Sequence, residues 1–472
     1  MLFNSFEFMF VFLPITFVVY FLLNKAKLLM PATGWLVAAS LFFYSYWKLD
    51  YLPLILISMI FNYVVGAVLS RNDNLKVDKK AVLAFGLVAN VALLVYYKYF
   101  DFLIYSFNKI FSAEFNYMHI VLPLAISFFT FQQIAYLVDS YKGKTKEYDF
   151  LTYALFITFF PQLIAGPIVH HGDVMPQFLN LRNRFINPKN VAKGLFLFSI
   201  GLFKKVVVAD YFAPFVATVF DGLQSVSFLE IWTGVVSYTF QLYFDFSGYA
   251  DMALGLGLLF NISLPSNFNS PLKSADISEF WRRWHITLSN FLKNYVYIPL
   301  GGSRVGTFNT YRNLFITFLV SGIWHGANMT FILWGAMHGI AVCLRKFWHD
   351  SGHALQKIPA VALTFLFLNF GFIFFRSASV TRALYLTKSA FGLNGFGSVA
   401  FDKMRLAFEG GSLKLSLFLL IPAIYAVFFM KNSLELTENF KPNKVYLFVT
   451  LLLLTFSVLN FNRISEFLYF QF

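Results

Sequence analysis

The residues best suited to chemistry in this sequence fall in Ser-Gly-Ile-Trp-His-Gly-Ala-Asn, Ser321 to Asn328, a polar cluster inside an apolar stretch. The imidazole of His325 is a competent general base near neutral pH. Gly322 and Gly326 flank it and leave room for another chain or a ligand to approach the backbone. If the segment is helical, Asn328 at i+3 shares the face of His325 and can orient it. The alternative is a core histidine bonded to a carbonyl, and the residues alone leave both readings open. His338, in Trp-Gly-Ala-Met-His-Gly, lies 13 positions on. At about 100° per residue that is roughly the far side of a continuous helix, so the two histidines share a site only if the helix breaks between them. A structural role is expected for His338.

A second cluster is Trp281-Arg282-Arg283-Trp284-His285. His285 falls on the shoulder of a helix, beside the polar face, where a histidine at a bilayer interface is the plainer reading. Arg282 and Arg283 can pair with Glu279 at i+3 and i+4, or can bind phosphate on the cytoplasmic side. Spacing does not decide between these. Asp245 and Tyr249 stand four apart in Tyr-Phe-Asp-Phe-Ser-Gly-Tyr-Ala-Asp, Tyr243 to Asp251, where one of them is expected to cap a helix break. Gly301 to Gly306 lacks the Gly-Lys-Ser/Thr ending of a phosphate loop, and no Gly-x-Ser-x-Gly or His-Glu-x-x-His motif occurs.

The elements that must position these residues are membrane helices. The 472 residues are 58% hydrophobic and 13% charged, against about 25% charged in soluble domains. Apolar runs of roughly bilayer-crossing length recur along the whole chain. We therefore expect an all-α, polytopic membrane protein with about 11–13 membrane segments, forming a single integral membrane domain over 1–472. The net charge of +14 is spread through short connections instead of forming a basic domain, which argues against nucleic acid. The basic connections Asn24 to Lys27 and Arg71 to Lys80, with Lys142, Lys144 and Lys146, place the N-terminus outside by the positive-inside rule. The single cysteine, Cys343, forms no intramolecular disulfide, and no Cys-cluster metal site is available.

Along the chain, spans are read at Leu2–Leu23, Trp35–Trp47, Leu52–Leu69, Ala81–Tyr97 and Val121–Val138. The run from Leu151 meets Pro161, Gly166 and Pro167 and is expected to break or re-enter, tolerated at membrane depth only where protein surrounds it. Val191–Val208 and Ile231–Phe260 follow, the second interrupted by Asp245, Ser247, Gly248 and Asp251. From Ile277 to Tyr295 the apolar residues keep the spacing of one helical face, which predicts an amphipathic helix at a boundary. Arg312–Leu344 is an interrupted apolar region, and Ile358–Phe375, Leu413–Met430 and Val445–Leu459 are further spans.

Three segments carry a resemblance to a known family: Phe280 to Gly302 (FWRRWHITLSNFLKNYVYIPLGG), Gln241 to Leu258 (QLYFDFSGYADMALGLGL) and Ser321 to Gly339 (SGIWHGANMTFILWGAMHG). With NSFEFMFVFLPI and FPQLIAGPIVH they make the first three-quarters of the chain similar to the membrane-bound O-acyltransferases. The similarity is greatest to the branch acetylating alginate and peptidoglycan, with the D-alanyl transferases more distant. The resemblance implies a ring of tilted helices around a central funnel or tunnel, with core motifs over 121–345 and C-terminal spans over 358–472.

It also puts the family's near-invariant histidine on His325 and its second polar position on His285. His325 would act as general base or transient acyl carrier, and His285 would orient substrate or stabilise the oxyanion. Arg282, Arg283, Trp324, Asn328 and Asp245 complete the candidate set for substrate or donor. No bound cofactor or metal is implied. The donor would be acetyl-CoA, and the partner a periplasmic SGNH-hydrolase-like acetyltransferase that modifies an extracytoplasmic polysaccharide across a bacterial inner membrane. Two alternatives are a polysaccharide or lipid transporter and an O-acyltransferase of the same fold acting on a membrane lipid.

Overall fold

A computed structural model describes residues 1–70, 77–145, 149–222, 224–396, 413–461 and 467–468, with backbone alone for 413–419. The basic residues from Arg71 to Lys76, and Lys146, lie outside them. Among the described residues there is no β-strand, only one isolated bridge. The helices are α1 Leu13–Lys25, α2 Leu29–Ser45, α3 Leu52–Ser70, α4 Lys79–Leu94, α5 Phe100–Phe111, α6 Ile126–Tyr141 and α7 Phe150–Thr158. Then come α8 Phe160–Leu163, α9 His171–Leu179, α10 Pro188–Phe203, α11 Asp210–Ala217, α12 Phe228–Leu259, α13 Ile277–Arg283 and α14 Ile286–Leu292. The chain continues through α15 Thr307–His325, α16 Met329–Asp350, α17 Lys357–Arg376, α18 Val380–Ala390, α19 Leu413–Phe429, α20 Ser433–Glu438 and α21 Lys444–Leu459.

By length and apolarity, four described helices can cross a membrane: Phe8–Lys25, Leu49–Ser70, Lys79–Phe111 and Lys357–Arg376. The third exceeds the expected span Ala81–Tyr97. A π-turn at Val95–Tyr99 joins α4 to α5, and no Pro or Gly follows Gly86 to stop the helix before Ser112 turns left-handed (φ 51°).

The chain forms two compact units. The first comprises Met1–Leu202, Tyr249–Ser266 and Lys441–Leu453. Its helices are tied by buried polar pairs. Gln133 Nε2 donates to Ser58 Oγ at 2.8 Å and the Tyr153 hydroxyl donates to Gln133 Oε1 at 2.8 Å, joining α3, α6 and α7. Asn62 and Asn90 exchange carboxamide bonds between α3 and α4. In hydrocarbon such bonds replace the hydrophobic drive that holds soluble helices together. The expected break after Leu151 is present. α7 stops at Thr158, and the Phe160 N–H freed there donates to Ser40 Oγ at 3.1 Å. Its surroundings are fully buried protein, as irregular backbone at membrane depth requires.

The second unit comprises Phe203–Gly248, Asn267–Phe440 and Leu454–Phe472, and it holds His285, His325, His338, Arg282 and Arg283. Here α12 corrects an expectation. Asp245, Ser247, Gly248 and Asp251 do not interrupt it, and it runs unbroken for 32 residues. Asp245 caps nothing because its carboxylate is engaged elsewhere. Oδ1 meets Lys205 Nζ at 2.7 Å, and Oδ2 accepts from the Leu468 N–H at 3.0 Å. Lys205 also contacts Asp210 at 2.8 Å, and all three side chains are about 3% exposed or less. Buried charges need such pairing to be tolerated.

Candidate active site

The apolar spacing from Ile277 to Tyr295 reads as one helix, but the structure breaks it at Trp284 and His285. Asp276 caps α13, accepting from the Glu279 N–H at 2.8 Å, and Glu279 answers through the Ala275 N–H at 2.8 Å. The helix ends at Arg283. Trp284 is extended (φ −107°, ψ 130°) and His285 is left-handed (φ 43°, ψ 53°). A non-glycine residue in that region costs about 1–3 kcal/mol, so something must hold it.

The holding element is the distant segment Asn267–Asn269. Phe268 bridges Trp284, the Asn269 N–H donates to Arg283 O at 2.9 Å, and the Ile286 N–H donates to Asn267 O at 3.1 Å. The Asn267 side-chain oxygen accepts from both the N–H and the hydroxyl of Thr287, at 3.2 and 2.7 Å. The backbone groups released by the break are thereby paired. His285 is consequently fully buried (0% exposed), not on the shoulder of an interfacial helix.

His325 sits at a second helix end. It is the last residue of α15, Gly326 is extended, and α16 starts three residues on at Met329. α15 and α16 pack closely where their glycines meet: a Cβ on Gly322 would lie 2.4 Å from Phe331 O, and one on Gly335 2.6 Å from Phe318 O. The room read from Gly322 thus admits α16. Asn328 is not on the face of His325, because the helix has already ended. It caps α16, accepting from the Thr330 N–H at 3.1 Å, and donates to Ala378 O at 2.9 Å.

Between the two breaks lies Trp324. Its ring centroid is 6.0 Å from that of His285 and 5.0 Å from that of His325. Phe246 closes on His285 at 4.7 Å, while Trp334 and Phe375 close on His325 at 5.0 and 5.1 Å, edge to face. His325 is 3% exposed. The break after His325 also brings His338 close, since its ring lies 4.5 Å from Trp334. There Nδ1 accepts from the Trp281 indole N–H at 3.2 Å, which fixes the imidazole orientation. Arg283 pairs with Glu279 at 2.8 Å and donates to Asn269 O at 3.4 Å, whereas Arg282 is exposed. Ring contacts thus join His285, Trp324 and His325. The other proposed binding residues turn to other partners or to the surface.

Residues 17–359 match MBOAT, the membrane-bound O-acyltransferase family. Both helix breaks fall inside that match. The chain belongs to this family. It is 49% identical over 425 residues to the peptidoglycan O-acetyltransferase of Helicobacter pylori, covering 84% of this chain and 80% of the relative. It is 39% identical over 398 residues to the probable alginate O-acetylase AlgI of Pseudomonas aeruginosa, covering 83% and 75%. A more distant relative is the teichoic acid D-alanyltransferase of Bacillus subtilis, at 27% over 274 residues, covering 53% and 68%.

As a membrane-bound O-acyltransferase the chain is a multi-pass membrane enzyme, which decides the contest between acyl transfer and transport. Two histidines joined through one indole, in a site walled by aromatic rings, offer a base and a hydrogen-bond donor where water is scarce. Among the described residues no three His, Cys, Asp or Glu side chains cluster as metal ligands would. Several residues that structure the second unit carry little or no signal of their role in the sequence. Asn267 and Phe246 are set by contacts far along the chain and give no local signal. Lys205 does give one, since Lys204-Lys205 is a charged pair between apolar residues.

Proposed function

We propose that this chain takes an acetyl group from acetyl-CoA on the cytoplasmic side of a bacterial inner membrane and passes it to a periplasmic SGNH-hydrolase-like partner. That partner O-acetylates a polysaccharide, and the chain's own N-terminus is extracytoplasmic. The observation that carries this reading is the meeting of His285 and His325 on Trp324, in a chain half identical to a peptidoglycan O-acetyltransferase. That identity makes peptidoglycan the first glycan to examine.

In the proposed step His325 takes the proton of the acceptor hydroxyl as its oxygen attacks the thioester carbonyl. His285 donates to the carbonyl oxygen as negative charge gathers there. A C–O bond forms, the C–S bond breaks, and the proton held by His325 leaves with the sulfur as the free thiol. Arg282 is exposed and Arg283 half-exposed, so they remain available to the phosphates of the donor. Trp324 holds both imidazoles in place.

The test is the glycan-bound acetyl content of cells carrying His325→Ala against wild type, with matched membrane levels of both proteins. Loss of acetyl groups from a glycan that is still exported is the expected result. Unchanged glycan acetylation would overturn the assignment, and loss of acetyl groups from the lipid fraction alone would move the activity to a lipid acceptor.

A further inference from the structure

Away from the paired histidines, α16 and α17 enclose a groove of about 670 Å³, within the roughly 300–1,000 Å³ range of ligand sites. On α16 the wall is Ala341, Leu344, Arg345 and Trp348, the three-and-four spacing of one helical face. On α17 it is Ala360, Leu363, Thr364 and Phe367, again one face. The Thr364 hydroxyl is turned back to Ala360 O at 2.9 Å, so this wall is apolar along its length.

We propose that this groove binds one acyl chain of an anionic glycerophospholipid, with the phosphate at the end formed by Arg345, His349 and His353. The length of the groove supports a lipid tail. α17 is long and apolar enough to cross a membrane, and it begins at Lys357. From there to Phe367 is ten residues, about 15 Å of helix, which is half of a hydrocarbon core of roughly 30 Å. The groove therefore runs from the end of a span to the depth of one leaflet, and its walls are lipid-compatible: Leu344, Trp348 and Leu363 are exposed large hydrophobics.

Charge fixes the head group. At the groove mouth Arg345 holds Asp276 at 3.0 Å, with its guanidinium still about one-third exposed. Lys346 is paired with Asp350 at 2.8 Å, and His349 lies 3.7 Å from the same carboxylate. The His353 ring rests on Trp348 at 4.8 Å. Lining the mouth itself, Arg345 and two histidines face a single carboxylate, Asp276, and Lys357 stands two residues after the lining Leu355, a donor-rich set that suits a phosphodiester. Trp348 is the residue type enriched at the level of lipid head groups. The other end of the groove is not isolated. Phe367 packs edge-on against His338 at 5.2 Å, so a seated acyl chain would brace the aromatic cluster behind the site.

The experiment is native mass spectrometry of the purified full-length chain in mild detergent, titrated with phosphatidylglycerol, phosphatidylcholine or inorganic phosphate. The expected result is one retained phosphatidylglycerol, preferred roughly tenfold over phosphatidylcholine and not displaced by inorganic phosphate. Ala360→Trp fills the groove and should abolish retention. Leu363→Trp, at an exposed wall position, does the same with little risk to folding. Arg345→Gln should keep the lipid but lose the head-group preference. A folded Leu363→Trp protein that retains the wild-type amount of lipid would overturn the proposal. So would equal retention of the two lipids, and displacement by phosphate would leave an anion site only.

Discussion

His285 and His325 both stand at places where a helix stops, yet they are stopped by different means. At His325 the cause is local: Gly326 follows, Asn328 caps the next helix, and Gly322 and Gly335 let that helix fold back closely. At His285 the flanking sequence, Arg-Arg-Trp-His-Ile-Thr-Leu, would continue a helix, and the break is imposed by Asn267–Asn269. One imidazole is thus placed by its neighbours in sequence, the other by a tertiary strap. The second should be the more easily displaced by a change that touches neither substrate nor histidine.

The largest expected effect is that of His325→Ala, which should lower turnover by about 10²–10⁴-fold, the usual worth of a general base. Acetyl transfer to a soluble acceptor by purified protein measures it. His285→Ala should cost about 10²–10³-fold if the imidazole serves the oxyanion. His285→Gly sharpens the comparison: it should lose as much activity but unfold at a higher temperature than His285→Ala, because glycine adopts φ 43° freely. Equal melting temperatures would deny that the left-handed backbone is strained.

Asn267→Ala tests the strap itself. It leaves the Thr287 N–H and hydroxyl without their acceptor in a buried place, at a cost of about 1–3 kcal/mol. Turnover should fall roughly tenfold (about 1.4 kcal/mol) as His285 loosens. Wild-type melting and turnover in this variant would mean that the break is made locally after all. The smallest effect on stability belongs to Arg283→Gln, which removes a half-exposed i,i+4 pair worth less than about 1 kcal/mol. If Arg283 serves the donor phosphates as proposed, the KM for the donor rises severalfold while melting hardly changes. A KM within about twofold of wild type would leave Arg283 with the ion pair as its only role.

The chain's all-helical membrane character was legible because it rests on composition and run length. The interruption between α15 and α16 and the break after Leu151 were legible because glycine and proline mark them locally. The end of α4 was not, since no Gly or Pro stands where the hydropathy falls and the helix runs on to Phe111. Asp245 misled for a related reason. An acid among apolar residues reads as an interruption until Lys205, forty positions earlier, neutralises it inside a continuous helix. The same holds for Asn328, whose spacing from His325 matters only in a helix that in fact ends before it.

By itself the sequence determined the solvent this protein lives in and the family it belongs to, and it proposed His285 and His325 as the pair to examine, since residue type and motif order carry those. Only the tertiary structure decided that His285 is buried in a left-handed turn and that Trp324 lies against both imidazoles. It also decided that Asn328 and Asp245 serve caps and ion pairs. The physical reason is that a backbone conformation disfavoured by its own residues, or a charge disfavoured by its surroundings, persists only through partners brought from elsewhere in the chain. Those partners lie 16 to 39 positions away for His285, through Asn269 to Phe246, and 40 for Asp245, through Lys205, beyond the reach of helical spacing.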